Sequence, residues 1–293
     1  MNSSKLFISA LVLGSTLILG CTGTAKKGAE NTVGNALNTT TRPITITEDI
    51  KKECVGIFEN TINQQSDFIE KVNQLKSELN SPQVKFFMPL NVADRAESKW
   101  QKAQVLGFYS IDRIVDKFLF EGVNGNVERE AHMEKLAADL NFNAEFINAE
   151  DLKDASNRKE LLQRINAYKT LLFIKSIENN NADYATVTLA YSLLETTVCK
   201  IGLSKLINGE TDQQKIYGVV LEQIDMMRNF VKLYTLLSPY YESLGPLKPL
   251  VEKIQSVTNA DEGKDQEKAL DEYISYANEM RDQILTQFNL NVK

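Results

Sequence analysis

The sequence is poor in the residues that turn and staple a chain. Six prolines and 14 glycines in 293 residues are too few turn formers for a β-sandwich or a propeller. A single histidine excludes a multi-histidine metal site within one chain. Basic residues are outnumbered, 33 Lys and Arg against 39 Asp and Glu, and the net charge of −6 gives no footprint for nucleic acid. No Gly-x-Ser-x-Gly elbow, phosphate-binding loop or Gly-x-Gly-x-x-Gly turn occurs. With 43% hydrophobic and 25% charged residues, the composition is that of a folded chain, neither disordered nor a polytopic membrane protein.

What is present begins with an address. Lys5 supplies a positive start, and Leu6 to Leu19 is apolar apart from small residues. Such a run is an export signal over residues 1–20, too short to be trusted as a spanning helix. It ends in Ile18-Leu19-Gly20-Cys21, which resembles the lipobox of bacterial lipoproteins. The resemblance implies cleavage before Cys21, a diacylglycerol thioether on its sulfur and, in Gram-negative bacteria, a third acyl chain on its amine. Two or three chains anchor stably where one is marginal. Thr22 rather than Asp at the next position implies the outer membrane, with the body facing the periplasm or the cell surface. Residues 21–46 then make the lipidated cysteine and a tether. Thr22 to Arg42 lacks aromatics and is rich in Thr, Asn, Gly and Ala. As a flexible chain of about 20 residues it would span roughly 25 Å.

Residues 47–293 are expected to form a single helical domain. Ile50, Cys54, Ile57, Thr61 and Phe68 recur at helical steps after Thr47. Further helices are expected over about Ala93 to Glu121, Val127 to Leu140, Asn157 to Glu178, Ala182 to Ile207, Asp212 to Leu237, Pro249 to Val257 and Asp265 to Phe288. The segment Ala182 to Ile207 is apolar nearly all round, the mark of a central buried helix. The best strand candidate, Gln83 to Leu90, is interrupted by Pro89 and has no partner run. The expectation is an all-α fold, a multi-helix bundle or short helical array of seven to eight helices.

Candidate chemistry is sparse. His132 follows Glu128 by one helical turn, but no second His exists, so a solvated helix face is expected. Asp112 and Asp116 stand one turn apart with Arg113 and Lys117 beside them, a pattern expected of salt-bridged surface. Nothing places a nucleophile beside a base, so no catalytic residue, metal or cofactor is assigned. Cys54 lies on the first apolar stripe and Cys199 in the most apolar helix. Export into an oxidising compartment makes a Cys54–Cys199 disulfide the expectation. Two aromatic groups are candidate partner-binding surfaces: Phe86, Phe87 and Met88 between prolines, and Tyr234, Tyr240 and Tyr241 at a helix end. The expected role is binding or scaffolding at the cell envelope, with a membrane contact through the lipid and a protein partner or small ligand. The alternative is a periplasmic helper that presents a ligand to a membrane transporter.

Overall fold

The computed structural model describes residues 45–73, 86–120, 126–142, 158–208, 212–261 and 263–288. The signal segment, Cys21 and almost all of the tether lie outside these residues. The described residues form nine α-helices, one or two more than the seven to eight expected, and contain no strand. In chain order they are α1 (Glu48–Asn73), α2 (Lys99–Leu119), α3 (Asn126–Asp139), α4 (Arg158–Glu178), α5 (Ala182–Asn208), α6 (Gln213–Leu221), α7 (Ile224–Leu237), α8 (Lys248–Asn259) and α9 (Lys264–Gln287). Short 3-10 helices precede α2 and α8, at Leu90–Arg95 and Glu242–Leu247.

The axis of the domain is α5, as its apolar circumference requires. It packs most extensively on α2 and also touches α4, α6, α7 and α9. Around it, α1 lies against α4 and α7, α3 against α2, and α8 against α7 and α9. The hydroxyls that α5 buries are satisfied within the helix. Thr186 donates to the Ala182 carbonyl at 2.7 Å and Thr196 to the Ser192 carbonyl at 2.7 Å. Gly107 allows the close approach of α2 and α5, because a Cβ there would stand 2.5 Å from the Thr188 carbonyl oxygen.

Two departures from the expected helices have local causes. The helix expected from Ala93 starts at Lys99 instead, because Ser98 and Gln101 form a reciprocal capping box. The segment before it is a 3-10 turn held by Tyr109, whose hydroxyl donates toward the Pro89 and Leu90 carbonyls and accepts from the Ala93 N–H. The helix expected over Asp212 to Leu237 breaks into α6 and α7. There the buried Lys200 ammonium, from α5, bonds the Val219 carbonyl at 3.2 Å. The Gln223 N–H, which would continue the ladder to Val219, turns to Val220 at 2.9 Å.

Candidate functional site

Two polar regions stand out in the domain. The first is a charged cluster sealed between α2, α3, α5 and α9. Asp112 and Asp116 are fully buried, which corrects the expectation that this pair decorates the surface. The Asp112 Oδ2 accepts from the Met88 N–H at 2.7 Å, stitching the segment before α2 onto the helix. Arg129 stands 4.0 Å from both acids and over the rings of Phe87 and Tyr109. On the other side, Arg281 donates to Glu195 at 3.1 Å. Burial raises the pKa of both Asp112 and Glu195, Glu195 well above the carboxylate range, and the Arg281 charge opposes it. The Asp112 and Glu195 carboxyls also lie within hydrogen-bonding reach of one another, which draws Asp112 down and pushes Glu195 further up. Two guanidiniums thus stand against three buried acids, the pairing that makes their burial tolerable.

Asp112, Glu195 and Cys199 offer three ligand atoms within 4.8 Å of one another. A cation would there meet two guanidiniums and carboxyl oxygens already engaged by Arg281 and Met88. The donor set fits a structural cluster better than a metal site.

Both Cys54 and Cys199 are free thiols, so the expected disulfide is absent. The reason is where the helices aim them. Cys54 joins the large apolar cluster, whereas Cys199 joins a smaller one beside Asp112 and Glu195, with its sulfur 3.7 Å from Asp112. Burial pushes the Cys54 thiol up to about 11 and the Cys199 thiol well above its ordinary value. The aromatic candidates also turn inward. Phe87, Met88 and Tyr241 are buried, while Phe86, Tyr234 and Tyr240 are half-buried and packed against the core. Phe86 lies on Gly202 so closely that no Cβ fits between them. His132 is half-buried, 3.8 Å from Asp94 and 3.9 Å from Glu128.

The second region is a cavity of about 750 Å³ walled by α1, α2, α3, α4 and α5. This lies within the range of about 300–1,000 Å³ common to small-molecule sites. Phe58 and Phe173, stacked 4.2 Å apart, form part of its wall with Ile62, Leu106, Ile114 and Leu189. Exposed lining residues are Glu134 on α3 and Ala167 and Leu171 on α4, so the mouth opens between those helices. None of Asp112, Glu195 and Cys199 lines it.

The lining is mostly apolar but includes Arg113, Glu130, Glu134, Arg164 and Lys169. Arg113 is paired with Glu130 at 2.8 Å. Lys169 is half-buried, and no hydrogen bond or ion pair reaches it among the described residues. Burial, with the Arg113 charge added, pushes its ammonium down to about 8. Gln65 is buried, and its Nε2 donates to the Ser192 Oγ at 3.0 Å. Because the Ser192 hydroxyl already donates to the Leu189 carbonyl, the other end of the amide, Oε1, has no donor.

Sequence reasoning missed the cavity, Glu195 and Arg281. Glu195 left a trace: it is the one acid in Leu193-Leu194-Glu195-Thr196-Thr197-Val198, inside a helix otherwise built for the core. Comparison with protein-family models, curated proteins and solved structures finds no match.

Proposed function

We propose that the protein is a binding module of the cell envelope, lipid-anchored at Cys21, that holds a small apolar ligand. The cavity between α1 and α5 carries this reading. Its walls are mostly apolar and aromatic, and its mouth is open. A small ligand is favoured over a protein partner because both aromatic segments considered for docking are spent on the core. Among the described residues, the large apolar side chains left exposed are Val127 and Leu171, and Leu171 belongs to the cavity mouth. No helix of the described residues is long and apolar enough to cross a bilayer, so the anchoring proposal rests on Cys21.

A second reading, that the module hands its ligand to a membrane transporter, draws on the same mouth between α3 and α4. Native mass spectrometry of the protein from its own membrane tests the ligand reading. A one-to-one small-molecule adduct is expected, and it should vanish when Ala137→Trp fills the wall with the helical spectrum retained. Absence of any adduct, together with no uptake of apolar probes by stripped protein, contradicts the reading. For the anchor, Cys21→Ser should release the protein from the membrane fraction or leave it unprocessed. Membrane retention with unchanged processing contradicts it.

A further inference from the structure

The cavity leaves one charged group unmet, and that group describes the polar end of the ligand. Lys169 is a cation on the wall without a carboxylate partner among the described residues. Gln65, 3% exposed, also lines the cavity, with its carbonyl oxygen sealed from the open space. We propose that the ligand is a long-chain carboxylic acid, its carboxylate on Lys169 and its chain against the Phe58–Phe173 wall. This rests on the ligand-binding reading and narrows it. The charge count selects a monoanion. Among the lining cations Arg113 is committed to Glu130 and Arg164 to Glu160, so Lys169 offers one charge for one carboxylate and the second charge of a phosphate dianion would go unmet.

The test uses the full-length protein in amphipol, freed of small molecules on a hydrophobic resin and titrated calorimetrically. The probes are 12-hydroxyoctadecanoate, octadecanoate, octadecan-1-ol and hexadecyl phosphate. Both acids should bind tighter than the alcohol. Lys169→Met should weaken both acids by about 10- to 100-fold, the worth of one charge-assisted bond, and leave the alcohol unchanged. Lys169→Arg should restore the preference for acids over the alcohol. Equal binding of octadecanol and octadecanoate to the wild type overturns the proposal while the ligand-binding reading stands. Tighter binding of hexadecyl phosphate overturns the choice of carboxylate. If none of the four binds, the proposal and the reading beneath it both fail.

Discussion

The charged cluster and the cavity both hang on α2 and α5, yet they treat polarity in opposite ways. In the cluster, Asp112, Asp116 and Glu195 have guanidiniums at 3.1–4.0 Å and no opening to water. In the cavity, which the same two helices help to wall, the Lys169 ammonium on α4 is left without a partner among the described residues. A group balanced from within the chain belongs to the fold. A group the chain declines to balance, in a cavity with a mouth, is where a ligand completes the count.

The comparison breaks most visibly from the cluster side. Arg281→Met leaves the acids with Arg129 alone and should cost about 3–5 kcal/mol of unfolding free energy, read by urea denaturation. A loss below about 1 kcal/mol would mean that the cluster is not holding α9 to α5. Next comes the seam that both regions share. Gly107→Ala forces a Cβ onto the Thr188 carbonyl, which a backbone atom cannot evade. The α2–α5 spacing must open, at about 1–3 kcal/mol, and ligand affinity should fall with stability because Leu106 and Ser110 move with the helix.

The cluster also has a pH signature. The raised pKa of Glu195 means that the folded state keeps a proton the unfolded chain releases in the ordinary carboxylate range. Its contribution is fully present below the unfolded pKa and declines as pH rises through the window up to the folded one. Glu195→Gln, which mimics the neutral acid, should make the fall of stability with rising pH shallower. Stability-versus-pH curves of the two proteins that run parallel would show that Glu195 is ionised when folded. The smallest effect is expected at Lys169. Its lowered pKa means that folding disfavours its charge, so Lys169→Met should leave stability within about 1 kcal/mol or raise it, despite the half-buried position. A large destabilisation would make Lys169 part of the fold.

The helical class of the domain was legible because most of its segments keep one apolar face, and α5 announced its central place by having no polar face at all. The start of α2 was legible too, in the Ser98-x-x-Gln101 pattern, had the capping box been weighed above the apolar period. The break between α6 and α7 was not, since its agent is Lys200, a residue of another helix. Asp112 and Asp116 misled for a related reason. Spacing alone puts them together on one face, but the guanidiniums that let that face be buried come from Arg129 on α3 and Arg281 on α9, far along the chain. The same holds for the cavity, whose walls come from five helices, so that neither Gln65 nor Lys169 carries a local signal.

The division of labour is tested most directly by two variants in one pair of measurements. Wild type, Lys169→Met and Glu195→Gln are titrated with octadecanoate, and the melting temperature of each is recorded without ligand. The account predicts that Lys169→Met loses about tenfold or more in affinity at an unchanged or higher melting temperature, whereas Glu195→Gln keeps its affinity. If Lys169→Met binds octadecanoate like the wild type, or if Glu195→Gln is the variant that loses affinity, the assignment of the cavity to the ligand and the cluster to the fold is contradicted.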